Sequence, residues 1–198
     1  MAERPRLSVD QVADLLRRSA SDLGRPGWDI STGFGHVNLV GALRRKASFH
    51  DRCEPNDDIP WVAGRKGLRA KRPLLKGQSR LSFAARLDVV KDPFDVYPVW
   101  VPARRAVQIT MTPTLHRSWP SPTKRASFIA ADLYVWPPNA RTAFGGGAIA
   151  KSRRKGARRE RLVIRNRGKR ARKMYVEVRA VRGRLLAGNY RLNLKRIR

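Results

Sequence analysis

The sequence has a single cysteine, Cys53, in 198 residues. An internal disulfide is therefore excluded, as is any metal cluster built from several thiolates. Acidic residues are also scarce: 15 Asp and Glu stand against 44 Lys and Arg, a formal charge of +29. Such a surface repels itself and attracts polyanions, whether nucleic acid, anionic headgroups or acidic polysaccharide. There are only 3 histidines, and no pair of them has the helical or hairpin spacing of metal ligands. Long apolar runs are missing. No stretch approaches the ~20 residues of a membrane span. The N-terminal segment is charged throughout and lacks the apolar centre of a signal peptide, so any export signal is expected outside this chain.

Apolar residues nevertheless make up 41% of the sequence, with 5 Trp, 6 Phe and 4 Tyr. That is enough to build a core, unlike a disordered tail. Residues 1–50 read as helical. Ser8 with Gln11 three residues on forms a capping box, and Val9, Val12, Leu16 and Ala20, with Ala13 and Leu23, follow one helical face that excludes Arg17 and Arg18. Gly24 supplies a stop and Pro26-Gly27 a turn. After the tight passage Thr32-Gly33-Phe34-Gly35, Asn38 caps a second short helix through Leu43.

The character changes at the polar stretch Glu54-Pro55-Asn56-Asp57-Asp58, which reads as a boundary. Beyond it, strand-like runs are expected at 81–87, 96–101, 106–112, 131–136, 161–165, 174–181 and 189–195. The last alternates most clearly, with Tyr190, Leu192 and Leu194 on one side and Arg191, Asn193 and Lys195 on the other. Val176, Val178 and Ala180 form a matching apolar row. Short strands between polar turns predict an antiparallel sandwich. Residues 140–159, with Gly145-Gly146-Gly147 and then a basic run, are expected to be one mobile loop.

Two segments resemble known patterns. Leu7-Ser8…Gln11-Val12…Leu15-Leu16…Ala20…Asp22-Leu23-Gly24…Gly27…Asp29…Thr32-Gly33-Phe34-Gly35…Val37-Asn38…Ala42-Leu43 is similar to the last two helices of the subtilisin-like (peptidase S8) catalytic domain. Glu54-Pro55-Asn56-Asp57 resembles the opening of bacterial pre-peptidase C-terminal β-sandwiches, which follow secreted protease domains. Asp92-Pro93-Phe94-Asp95-Val96-Tyr97, Val107-Gln108-Ile109-Thr110-Met111, Ala131-Asp132-Leu133-Tyr134-Val135 and Gly188-Asn189-Tyr190-Arg191-Leu192 continue that resemblance in order. It implies a mainly β chain: a jelly-roll-like antiparallel β-sandwich over 51–198, preceded over 1–50 by a two-helix remnant of a subtilisin-like α/β domain. The implied parent is a secreted or cell-surface serine endopeptidase. Subtilisin-like catalysis needs Asp, His and Ser in that order, and the segments that carry them would lie ahead of Met1. The chain is thus expected to be a non-catalytic portion, serving secretion, folding or substrate attachment, with the missing protease portion as a partner.

Candidate chemistry is limited. His36 sits in a turn and His50 in the linker. His116 lies two residues from Ser118, but with no orienting acid or oxyanion site in view. Asp92 and Asp95 flank Pro93-Phe94 and read as a turn rather than as paired catalytic carboxylates. Glu54, Asn56, Asp57, Asp58 and Asp95 are hard oxygen donors of the kind calcium prefers. In the β-sandwiches that the chain resembles the Glu-Pro-Asn segment helps to hold calcium; with the clustering of oxygen donors this points to a calcium site at Glu54, Asn56, Asp57 and Asp95, and the alternative is a solvated linker. Residues 151–198 hold 20 Lys and Arg, with Glu160 and Glu177 the sole acids. Arg153, Arg154, Lys155, Arg158 and Arg159 are the candidate polyanion contacts. This supports the competing class, a basic binding module for nucleic acid or another polyanion such as a cell-surface polymer. No nucleic-acid motif accompanies it, and Arg outnumbers Lys by 33 to 11, as a general bias toward arginine would give.

Overall fold

The computed structural model describes residues 6–24, 28–48, 51, 53–65, 67–89, 91–114, 128–181 and 187–198. The turn expected at Pro26-Gly27, and His50, His116 and Ser118, lie outside the described residues. Contacts divide the chain into two compact units, one holding the described residues up to position 48 and the other those from Asp51 onward.

The first unit contains α1 (Val9–Ser19) and α2 (Leu39–Arg44). The capping box forms as the sequence predicts: Ser8 Oγ accepts from the Gln11 N–H at 3.2 Å, and Gln11 Oε1 accepts from the Ser8 N–H at 3.0 Å. Asn38 caps α2 by accepting from the Gly41 N–H at 2.7 Å. The buried face of α1 differs from the expected stripe. It consists of Asp14, Leu15, Arg18 and Ser19, while Val9 is exposed. The reason is an ion pair: Arg18 Nε lies 2.7 Å from Asp14 Oδ2, and Arg18 Nη2 donates to the Lys46 carbonyl at 3.0 Å. Between the helices, Asp29 accepts from the Ser31 and Thr32 N–H groups, both at 2.8 Å. Gly35 has φ 92°, and a Cβ there would stand 2.1 Å from the Ser21 carbonyl oxygen. Glycine at position 35 is therefore a steric requirement.

The second unit is mainly β. Its strands are β1 (Arg80–Asp88), β2 (Phe94–Val101), β3 (Arg105–Pro113), β4 (Ala131–Trp136), β5 (Ala150–Ser152), β6 (Glu160–Asn166), β7 (Arg172–Ala180) and β8 (Ala187–Ile197). They form two four-stranded sheets, ordered β1-β8-β3-β6 and β2-β7-β4-β5, and every strand pair is antiparallel. Successive strands switch sheets at nearly every connection, and the result is the eight-stranded jelly roll. Inward positions of both sheets interdigitate in one core, where Leu87, Val99, Ile109, Leu133, Val176 and Leu192 are fully buried.

Each of the seven predicted strands is present. The structure adds β5 and the short helix α3 (Ile59–Ala63). The expected loop at 140–159 is broken up: Ala143 is fully buried and β5 pairs with β4, which leaves two exposed stretches, one around 144–147 and one between β5 and β6. Residues from α3 and from 140–148 pack around Val96, Trp136 and Tyr175, so the outer face of the β2-β7-β4-β5 sheet is covered by a second small core.

β2 is an edge strand, yet its free edge is occupied. Its Val96 N–H donates to the Asn56 carbonyl at 2.7 Å, and its Trp100 N–H to the Leu74 carbonyl at 2.9 Å. Pro98 falls between these outward-pointing donors, where a missing N–H costs no sheet hydrogen bond. This edge pairing holds the segment around Asn56 beside the start of β2.

Candidate metal centre

The five carboxylates of Asp51, Glu54, Asp57, Asp92 and Asp95 converge at one end of the sandwich. Asp51, Glu54 and Asp95 each bring an oxygen within 4.8 Å of the others, and so do Glu54, Asp57 and Asp92. Glu54 belongs to both groups. In a chain with 15 acids and 44 bases, one third of the acids gathers at a single place.

Backbone geometry produces the convergence. Asp51 is tied to β1, its Oδ2 accepting from the Arg86 N–H at 3.0 Å and its Oδ1 from the Cys53 N–H at 2.8 Å. Asp92 closes the β1–β2 turn through reciprocal backbone bonds with Asp88, both 2.9 Å. Asp95 is fully buried on β2; it accepts from Asn56 Nδ2 at 2.9 Å and from the Tyr190 hydroxyl, which in turn lies 2.7 Å from the Tyr97 hydroxyl. Asp95 thus joins the cluster to the core of the sandwich.

Three oxygens in this cluster are buried and lack a hydrogen-bond partner among the described residues: Glu54 Oε1, Asn56 Oδ1 and Asp92 Oδ1. A buried oxygen without a donor is costly. Electrostatics point the same way. Burial, followed by repulsion from Asp57 and Asp51, pushes the Glu54 carboxyl up to about 7, against a partial pull from Lys71 and the Asn56 N–H. Asp92 is pushed up to about 9 by burial and then by Glu54, Asp57, Asp51 and Asp88. Asp95 is raised well above the carboxylate range, chiefly by burial and then by Asp92 and Asp51. Without a cation, these groups relieve their repulsion by holding protons. A cation would let them ionise and would take up the orphaned oxygens. The donor set is entirely oxygen, with several carboxylates and a side-chain amide carbonyl, which suits calcium.

Glu54, Asn56, Asp57 and Asp95 are brought together by the structure. Asp58 is not: it caps α3 through the Ile59 N–H at 2.7 Å and holds Thr142 Oγ1 at 2.9 Å and the Ala143 N–H at 2.6 Å. Asp51 and Asp92 are the members that sequence reasoning missed. Asp92 does form the predicted turn, but that turn also aims its carboxylate at Glu54. Asp51 stands three residues ahead of Glu54, just outside the polar 54–58 run, and the Arg86 and Cys53 N–H groups hold it in the cluster.

The five basic candidates lie on the exposed β5–β6 loop. Arg153 Nε lies 3.2 Å from Asp132 Oδ2. The Arg154 N–H donates at 2.9 Å to Glu160, whose carboxylate also accepts from the Ser152 hydroxyl. Lys155, Arg158 and Arg159 have no carboxylate partner among the described residues. Glu160 is fully buried and anchors the base of this loop. His36 exchanges backbone bonds with Ser21, at 2.8 and 2.9 Å. No described helix is long and apolar enough to cross a membrane.

No family model matches the chain, and no curated protein does. Among solved structures it is similar to PliG of Aeromonas hydrophila, a periplasmic inhibitor of g-type lysozyme. The identity is 12% and the TM-score 0.36, over 62% of this chain and 90% of that one. A likeness that distant carries no functional argument.

Proposed function

We propose that residues 51–198 are a calcium-clasped, non-catalytic β-sandwich that serves as an accessory module of a secreted subtilisin-like serine endopeptidase. The observation that carries the calcium reading is the set of buried, unpartnered oxygens on Glu54, Asn56 and Asp92 inside a cluster of five carboxylates. The ion joins the segment before α3 to the β1–β2 turn. It stabilises the sandwich where two separate stretches of chain meet.

Residues 1–50 are the closing helices of the catalytic domain in this reading. In support, the helical unit displays Ile30 at 91% exposure, Val9 at 82%, Val37 at 65% and Leu39 at 63%. Exposed apolar residues in that number on so small a unit mark a surface built to be covered. The cover is the parallel sheet of a subtilisin-like domain, and the serine, histidine and aspartate of catalysis belong to that missing portion.

Three observations test the reading. Thermal melts in chelator and in about 1–5 mM calcium, a range that reaches weak extracellular-type sites, should differ, because a ligand bound only by the native state raises Tm. An unchanged Tm contradicts the calcium clasp. Incubation with a fluorophosphonate probe should label no serine, and a labelled serine contradicts the non-catalytic assignment. DNA upstream of Met1 is expected to continue the frame and encode a Gly-Thr-Ser-Met segment. A stop codon in frame directly upstream would overturn the protease connection without touching the calcium site.

A further inference from the structure

The two sheets treat their outer faces differently. The β2-β7-β4-β5 sheet is covered by α3 and the segment after β4, whose residues surround Trp136 and Tyr175. There even a carboxylate is buried: Glu177 accepts from Trp136 Nε1 at 2.7 Å and pairs with Arg179 at 2.6 Å. The outer face of the β1-β8-β3-β6 sheet has no such apolar cover among the described residues.

Register defines what that bare face displays. Arg80, Lys195, Gln108 and Val163 stand in one row across the four strands, and Ser82, Asn193, Thr110 and Arg161 in the next. Arg191 follows beside Ala84 and Thr112, and Arg165 stands beside Ala106. None of these positions is acidic. Arg80, Arg161, Arg165, Arg191 and Lys195 have no carboxylate partner among the described residues. Two of the arginines are laid across the face by neutral neighbours: Arg161 Nη2 donates to Gln108 Oε1 at 2.7 Å, and Arg191 Nη1 to Ser82 Oγ at 3.4 Å. Ser82, Gln108, Thr110 and Asn193 form the floor of a shallow depression of about 390 Å³, with Arg80 and Lys195 at its side.

We propose that this face binds an acidic polysaccharide. Its centre is made of hydroxyl and carboxamide groups, which match the donors and acceptors of sugar hydroxyls. Its rim is cationic and matches carboxylate or sulfate. Strand spacing of ~4.8 Å and a repeat of ~6.8 Å for every second residue spread the cations over a patch ~14 Å across the strands and ~20 Å along them. An extended polymer fills such a flat, open surface better than a small molecule does. Nucleic acid fits it less well, because these rows contain no aromatic side chain on which a base could stack. The loop carrying Lys155, Arg158 and Arg159 leads through the buried Glu160 into Arg161 and extends the basic track. The calcium cluster shares none of these side chains, so the two proposals stand or fall separately.

The test uses the full chain at about 0.15 M salt, with heparin and polygalacturonate as sulfated and carboxylated probes. Duplex DNA and single-stranded RNA are the comparison arms. The variant Arg161→Ser/Arg191→Ser/Lys195→Ser is set against a charge-matched control, Arg65→Ser/Arg69→Ser/Arg141→Ser, whose positions lie off this face. Every cation removed from the face lowers the number of counterions that the polymer releases on binding, and affinity falls steeply with that number. The face variant is therefore expected to lose about tenfold or more in glycan affinity and the control no more than about twofold. Loss for heparin alone identifies sulfate as the recognised group, and loss for both identifies the anionic glycan in general; either result supports the proposal. Equal loss in both variants shows that net charge alone attracts the glycan and overturns it. So does no measurable glycan binding, or tighter binding of DNA or RNA than of both glycans. If the triple variant loses its cooperative melt, the single reversals Arg191→Glu and Lys195→Glu are read against Arg69→Glu by the same criteria.

Discussion

Glu54 has two different oxygens: Oε2 accepts from the Asn56 N–H at 3.1 Å, while Oε1 is buried without a partner among the described residues. Asp92 likewise has a buried, unpartnered Oδ1. Both carboxyls are raised, to about 7 and about 9, by burial and by their neighbours. Neutral isosteres should therefore separate stability from binding. In chelator at pH 8, Asp92→Asn is expected to raise Tm by about 2–8 °C, the shift that roughly 1 kcal/mol produces in domains of this size range. In calcium the same variant should lose most of the calcium-dependent rise in Tm. Glu54→Gln should behave alike. Melts of both variants with and without calcium check this, and a fall in Tm in chelator would count against burial and repulsion as the causes of the raised carboxyls.

At the scale of elements, alternation made the sandwich legible. In β8 the predicted inward residues Tyr190, Leu192 and Leu194 are all buried, and Arg191 and Lys195 are exposed. β5 escaped notice because three residues cannot show a period; it exists through its ladder to β4. α3 left readable marks that were not assembled: Asp58 as cap, Pro60 in the first turn and Gly64 with φ 80° at the end. The buried side of α1 was not legible, because an Asp14–Arg18 ion pair occupies it and hydrophobic periodicity does not register charged residues. The metal cluster was half legible. Asp51, Glu54, Asn56 and Asp57 are close in sequence, although Asp51 lies ahead of the polar 54–58 run, whereas Asp92 arrives only through the β1–β2 turn. The glycine passage of the helical unit gives a direct test. Gly35→Ala adds a methyl at φ 92° against the Ser21 carbonyl, so it should cost more than the ~1–2 kcal/mol of the left-handed conformation alone. Hydrogen exchange should show loss of protection at Ser21 and His36, with protection of the sandwich strands unchanged.

For the whole molecule, the raised carboxyls link stability to pH. Glu54 and Asp92 hold protons in the native protein up to about 7 and about 9, while the unfolded chain releases them near ~4. Between those limits the native state binds more protons than the unfolded state, so stability falls as pH rises. In chelator, this contribution is fully present below pH ~4 and is lost progressively up to about pH 9. Calcium should reverse that trend, since it favours the ionised carboxylates and its binding releases protons. Melts from pH 5 to 9 should show Tm declining in chelator and holding in calcium; parallel curves in the two media would contradict this linkage.

Calorimetric titration of calcium into the full chain at pH 7.5, repeated in two buffers of different ionisation enthalpy, tests the clasp most directly. Saturable binding with a Kd of about 1 mM or tighter is predicted, with a heat that depends on the buffer because Glu54 and Asp92 give up protons. Absence of saturable binding up to about 5 mM calcium, or binding with no proton release, would contradict the account.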